Sequence, residues 1–309
     1  MKRFMNNRQP FSRTNAMLSV GSSLKNTYKE TKYNRKLKGD IFNLIIITGF
    51  AIIMAIPLLY VIANAFKPLE ELYLFPPRFF VENPTLDNIK GLFTLMGNSW
   101  VPLTRYFFNT IFITAIGTAG HVIFASLAAY VLEKHKFYGQ KLFFSLIIMT
   151  LMFSSTVTSI PNFIIMSKIG WVDTYLSVIV PAMGAPLGLF LMKQFMTTVP
   201  DTLLEAAKID GASELRIFTI IVMPIVKPAW LTLIIFSTQS LWNTTGGIFI
   251  RSEQLKPLPY ALNQIMTGGL ARAGQGSAVA FLLMTVPIFI FIISQKNIIN
   301  TMSTSGLKE

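Results

Sequence analysis

Glu205-Ala206-Ala207-Lys208-Ile209-Asp210-Gly211, followed after nine residues by Ile221-Val222-Met223-Pro224, decides how this sequence is read. The stretch lies in a polar insert, about residues 198–227, between two strongly apolar segments. Such an insert stays outside the hydrocarbon but is held close against it. Pro200 and Asp201 favour the start of a helix over 201–210. Gly211 supplies the left-handed conformation that ends it. Ser213 is an N-cap for a second helix from Glu214 to Met223, and Pro224 and Pro228 break or kink the chain as it returns to the membrane. The expectation is a helix–turn–helix lying along the membrane face. Ala206 and Ala207 are small, so another protein surface can approach closely, and Glu205 can meet a partner's Arg or Lys. An ordinary charged hairpin would explain a bare Glu-Ala-Ala triplet; the full spacing is more specific than that.

Working outward, the chain has 309 residues, 52% apolar, with only 13% charged residues and a mean hydropathy of +0.53. Soluble domains carry about 25% charged residues, so the class is an all-α integral membrane protein. The apolar runs last about 20 residues, the length that crosses about 30 Å of hydrocarbon as helix; barrel strands would alternate over about 10. Cysteine is absent and histidine occurs only at His121 and His135. That excludes disulfides, thiolate sites and multi-histidine metal sites. No Gly-x-x-x-x-Gly-Lys-Ser/Thr loop is present to cradle phosphates. No catalytic residue, metal or cofactor is expected.

Six segments can span: 41–65, 106–132, 142–166, 176–192, 229–248 and 277–295. The organisation expected is a basic tail (1–40), one membrane domain (41–296) and a short C-terminal tail (297–309). With the N-terminus inside, the inner segments carry 19 Lys/Arg and the outer ones 8. The tail alone holds ten basic and two acidic residues. Ahead of a span, that composition fits a cytoplasmic tail near anionic lipid rather than a nucleic-acid site. The insert then falls in the cytoplasm. The outer segment 67–105 is dense in proline (Pro68, Pro76, Pro77, Pro84, Pro102) and aromatic residues, and reads as an ordered cap with one short helix near Leu86–Met96.

Polar clusters inside spans face the bundle or a cavity, because amides and hydroxyls lack partners in lipid. Gln239 and Asn243 stand one helical turn apart with Trp242 beside them, an arrangement able to hydrogen-bond a polar solute and stack on its apolar face. Ser155 and Thr158 lie in a Ser/Thr cluster ahead of Pro161, and Asn109 in a cluster with Thr110, Thr114 and His121. These are candidate path residues; interhelical packing is the plainer alternative for each. Gly184 and Gly188 form a small-xxx-small pair.

The insert's spacing resembles the EAA loop of ABC importer permeases, with Met223 where that family usually has Leu. The likeness extends over about residues 40–300. It includes Asn64-Ala65-Phe66-Lys67-Pro68, Asn83-Pro84-Thr85, Ala128-Ala129-Tyr130-Val131-Leu132 with Phe137-Tyr138-Gly139, and Gly170-Trp171-Val172-Asp173-Thr174. These resemble the carbohydrate branch related to the smaller maltose permease. The C-terminal ending, Thr301 to Glu309, and Trp242–Gly247 resemble a less-studied branch. The resemblance implies the type I ABC importer permease fold: six transmembrane helices with a cytoplasmic coupling helix, in a bacterial cytoplasmic membrane. It implies a second permease as heterodimer partner, two copies of a separate ATPase, and an extracytoplasmic solute-binding protein. It places ATPase docking on Glu205, Ala206, Ala207, Asp210, Gly211 and Pro224. A permease for a non-sugar solute is the nearest alternative. A stand-alone secondary transporter would be expected to carry ionisable groups in its spans, and these spans have almost none beyond His121.

Overall fold

The computed structural model describes residues 37–97, 101–267, 269 and 272–305. The basic tail lies almost wholly outside the described residues. The described ones are all-helical, with no strand among them. Two compact units are distinguished, 1–58 and 59–309. The first contributes most of α1 (Leu37–Phe66), whose Ile45, Ile47, Phe50 and Met54 are exposed apolar side chains suited to lipid.

The second unit contains the rest. α2 (Leu69–Leu72) and α3 (Asp87–Gly97) form the proline-rich cap, with the short helix where the sequence predicts it. Buried polar groups hold that cap together. Lys67, 2% exposed, donates to Asn64 Oδ1 at 3.0 Å and to the Arg78 carbonyl. The Glu71 carboxylate accepts from the Asn83 amide at 2.9 Å, and Asn88 donates to the Lys67 carbonyl at 2.6 Å. Each satisfies backbone that proline prevents from pairing in a helix.

The centre of the unit is α4 (Leu103–Lys134), a 32-residue helix packed against α7 (Leu176–Met183), α8 (Pro186–Met196) and α11 (Lys227–Trp242). Small residues permit this. A Cβ added at Gly117 would lie 2.6 Å from Leu241, and one at Gly120 would lie 2.3 Å from Met183. Gly188 faces α4 in the same way, its added Cβ falling 2.2 Å from His121 Nε2. Gly184 instead meets only the Pro181 carbonyl of its own helix, so the glycine pair does not act as one contact.

Among the described residues, four helices are long and apolar enough to cross a membrane, and up to six if two bent pairs each count as one. Those pairs correct two expected spans. The third, expected as one helix over 142–166, is α5 (Gln140–Leu151) and α6 (Ser155–Lys168), turned by 112°. Ser154 accepts from the Thr156 amide, so helix-start chemistry occurs within the apolar run. The fifth, expected over 229–248, stops at Trp242. Asn243 caps it, and Gly246 and Gly247 take positive φ of 75° and 48°. Its amino-terminal arm α10 (Glu214–Ile225) meets α11 at 80°. The bend falls at Val226, ahead of Pro228, and Pro224 stays within the helical arm. The Trp230 indole fills the gap by donating to the Met223 carbonyl at 3.0 Å. The arm contains a π-helical stretch, Ile217–Val222, where the sequence predicts plain α-helix. After α12 (Leu258–Met266), the last helix, α13 (Ala273–Ser305), continues into the segment expected as a tail.

Candidate functional site

The insert folds as its local chemistry requires. α9 (Asp201–Ile209) starts after Pro200, and Gly211 takes φ of 79°. Ser213 accepts from the Arg216 amide and starts α10. Leu204 is buried while Glu205, Ala206, Asp210, Gly211 and Pro224 are exposed, and Ala207 is half-buried. Five of the six sequence-predicted docking residues therefore lie open, four of them together around one turn. Beside them, Ile209 and Leu215 are 86% and 67% exposed, an apolar addition that the motif does not reveal.

Polar contacts brace this loop against the bundle. Lys134 at the end of α4 donates to Asp201 Oδ1 and to the Val199 carbonyl, both at 2.7 Å. That hydrogen bond, with the ammonium charge, holds the Asp201 carboxyl below the usual carboxylate range. Glu133 pairs with Lys193 of α8 at 2.6 Å. The Tyr130 hydroxyl donates to Glu214 Oε2 at 2.8 Å, and Lys208 pairs with Glu214 at 2.6 Å. Beneath them Tyr130, Met192, Met196, Leu204, Ile217 and Val222 form one buried cluster. Any displacement of α9 is therefore felt by α4 and α8.

A hollow of about 590 Å³ lies between α4, α11 and α13. Thr114, Thr118, Thr238, Trp230 and Trp242 are on its wall, among apolar side chains. Thr114 and Thr118 stand one turn apart, and neither hydroxyl has a partner among the described residues. Of the path candidates, Trp242 is on this wall but its indole donates to the Leu283 carbonyl at 2.9 Å. Gln239 is exposed and borders an adjoining hollow of about 220 Å³ beside Pro287 and Phe291. The Asn243 amide donates to the Gln239 carbonyl at 2.8 Å and closes the helix end. Asn109 is fully buried. It donates to the Gln254 and Lys256 carbonyls at 2.8 Å and accepts from the Tyr175 hydroxyl at 2.7 Å. Thr158 is half-buried on α6, and the Ser155 side chain lies outside the described ones. The candidates thus do not gather in one place. Thr118, Thr238 and Trp230 were missed; the spacing of four from Thr114 to Thr118 was the available signal. His121 bridges three segments, with Nδ1 2.6 Å from Ser237 Oγ and Nε2 3.0 Å from the Ala185 carbonyl.

Membrane-length helices around a hollow, with a braced polar helix–turn–helix at one end, define an integral membrane permease. The chain belongs to the family described as binding-protein-dependent transport system inner membrane component, which matches residues 121–303. It is 32% identical to Protein LplC of Bacillus subtilis (strain 168), over 77% of this chain and 79% of that protein. It is 30% identical to the arabinooligosaccharides transport system permease protein AraQ of Halalkalibacterium halodurans, over 89% of this chain and 99% of that one. It is also 30% identical to the polygalacturonan/rhamnogalacturonan transport system permease protein YtcP of Bacillus subtilis (strain 168), over 78% and 86%. Among solved structures, a chain of a bacterial ABC transporter involved in import of the acidic polysaccharide alginate is similar in fold. Its TM-score is 0.71 at 22% identity, covering 85% of this chain and 98% of that one. The protein is therefore a permease subunit of an ABC importer, integral to a bacterial membrane.

Proposed function

We propose that this chain imports a sugar or oligosaccharide as one half of a permease heterodimer, with two copies of a separate ATPase docked on residues 201–225 and a solute-binding protein at the opposite face. The N-terminus and the coupling loop lie in the cytoplasm, as the distribution of basic residues favours. The observation that carries this reading is the exposed turn around Glu205 to Gly211, on a helix tied to the end of α4 through Asp201 and Lys134, with α4 in turn paired to α8 through Glu133 and Lys193. Glu205, Ala206, Ala207, Asp210, Gly211 and Pro224 form the docking surface, enlarged by Ile209 and Leu215. ATP is hydrolysed by the partner; its closure moves α9, and the bracing contacts pass that movement to the helices around the hollow. Thr114, Thr118, Thr238 and the two tryptophans offer hydroxyls and flat faces to a passing sugar, with Gln239 at the adjoining margin. Relatives named for arabino- and galactooligosaccharide transport support the solute class.

The test is purification of the tagged chain from its own host. A second permease and an ATPase co-purify with it, and proteoliposomes of the complex take up oligosaccharide only when ATP is supplied. ATP-independent uptake by the chain alone would overturn this reading in favour of a secondary transporter.

A further inference from the structure

We infer that the mouth of the membrane domain opposite the coupling loop contains an anion-binding subsite, and that the solute drawn through it is a negatively charged sugar, bearing carboxylate or phosphate. The inference rests on the import reading above and specifies its substrate. The site is an open hollow of about 440 Å³, lined by Phe163, Gly247, Ile248, Ile250, Arg251 and Lys256. It lies at the far end of α4 from the coupling loop. Asn109, near the start of that helix, holds the Gln254 and Lys256 carbonyls, whereas Lys134 at its end holds Asp201.

The loop carrying the two cations is pre-organised through its backbone; the Arg251 guanidinium lies over Phe163 within electrostatic reach of Asp173, and the Lys256 ammonium lies against Tyr260. Asp173 takes a positive φ of 64°, and its Oδ1 accepts from the Arg251 and Ser252 amides at 2.9 and 2.7 Å. Its own amide donates to the Phe249 carbonyl at 2.8 Å. Arg105 donates to the Gln254 carbonyl at 3.2 Å, and Thr110 accepts from the Leu258 amide at 2.7 Å. The nearby carboxylates are thus occupied elsewhere: Asp173 by the loop backbone and the Ser252 hydroxyl, Glu253 by the Tyr106 hydroxyl at 2.6 Å.

Lys256 is only 7% exposed, and its ammonium lies 3.9 Å from the Tyr260 ring centre. Among the described residues, no carboxylate lies within 4.0 Å of Lys256 or Arg251. A buried ammonium with no carboxylate partner among the described residues is costly and gains most from an incoming anion. The floor also suits a sugar. The Arg251 guanidinium stands 5.7 Å over the Phe163 ring, and Phe249 lies 6.3 Å from it. An aromatic face takes the C–H side of a pyranose while the two cations take its acid group. A recessed lysine in a hollow fits a small acid group better than the flat surface of a protein partner.

The experiment uses the complete complex, co-purified with the tagged chain and reconstituted in proteoliposomes. Initial ATP-driven uptake is measured for trigalacturonate, glycerol 3-phosphate and neutral galactotriose. The expected result is uptake of at least one anion, with the preference for it over galactotriose falling about tenfold or more in Lys256→Gln/Arg251→Gln, the loss typical of a charged hydrogen bond. Lys256→Arg restores the preference and so separates charge from misfolding. Trigalacturonate or glycerol 3-phosphate as the transported species distinguishes carboxylate from phosphate. Efficient galactotriose uptake with neither anion carried would overturn the inference and leave the import reading intact. Equal loss for all solutes, together with loss of solute-binding protein capture, would assign the cations to protein docking and also overturn it. ATP hydrolysis with no uptake of any sugar would count against the import reading itself.

Discussion

Replacing Gly211 separates backbone conformation from contact in the coupling turn. Its φ is 79°, and a Cβ built there meets nothing within 4 Å. The cost of a side chain is therefore conformational: about 1–2 kcal/mol to hold Ala left-handed, whereas Asn visits that region readily. Little else in the turn can absorb this cost. Its bonds are Gly211 and Ala212 amides to the Lys208 and Ala207 carbonyls, each at 3.0 Å, and the Ser213 cap. If the ATPase engages only the native turn, the same 1–2 kcal/mol appears as about 5- to 30-fold weaker docking. The assay titrates purified ATPase against the permease pair in nanodiscs. Gly211→Ala is expected to weaken binding within that range, Gly211→Val more, and Gly211→Asn by less than about threefold. Equal affinities for the Ala and Asn variants would refute the reasoning, because they differ chiefly in tolerance of positive φ.

Other predictions follow from the same geometry. Tyr130→Phe removes the bond to Glu214 and is expected to weaken loop bracing by about 1 kcal/mol, seen as ATP hydrolysis less responsive to solute while ATPase binding persists. Asp173 is held below its ordinary value by the Ser252 hydroxyl first, then by the Ser252 and Arg251 amides. Its contribution is present above the unfolded value of about 4 and is lost as pH falls through the lower folded value. Asp173→Asn should therefore flatten the melting temperature against pH in that acidic window, and Asp173→Ala should lower it at neutral pH as well. Thr118→Val is expected to change the preference among sugar lengths while complex yield holds; unchanged preference with lowered yield would mark a packing role.

The helix–turn–helix was legible because Pro200, Gly211 and Ser213 act through local backbone chemistry, which sequence states directly. The cap helix near Leu86 was legible for the same reason. The break in the third span was not: Ser154 reads as one more polar residue in an apolar run, although its side chain starts a helix. The fifth span's early stop was half visible, since Gly246 and Gly247 signal a turn but hydropathy carries the run past them. Path residues were least legible. Gln239 and Asn243 share a face by arithmetic, yet Asn243 lies beyond the last helical residue and bonds backwards. Asn109 looked like a lining amide, but the carbonyls it holds are 145 and 147 positions away and Tyr175 is 66 away, separations no periodicity reports.

The bracing of α4 at both ends has a mechanical consequence. At 1.5 Å per residue its 32 residues extend about 48 Å. Lys134 grips the coupling loop at one end, and Asn109 grips the cationic loop near the other. A helix held this way cannot dissipate a push by fraying, so it behaves as a lever whose fulcrum is the glycine-lined contact at Gly117 and Gly120. A tilt of about 5° swings one tip by about 4 Å relative to the other over that length. If the ATPase docks on α9 as proposed, shifts of only a few ångströms there would be enough to widen or pinch the opposite mouth, with no helix unwinding along the way.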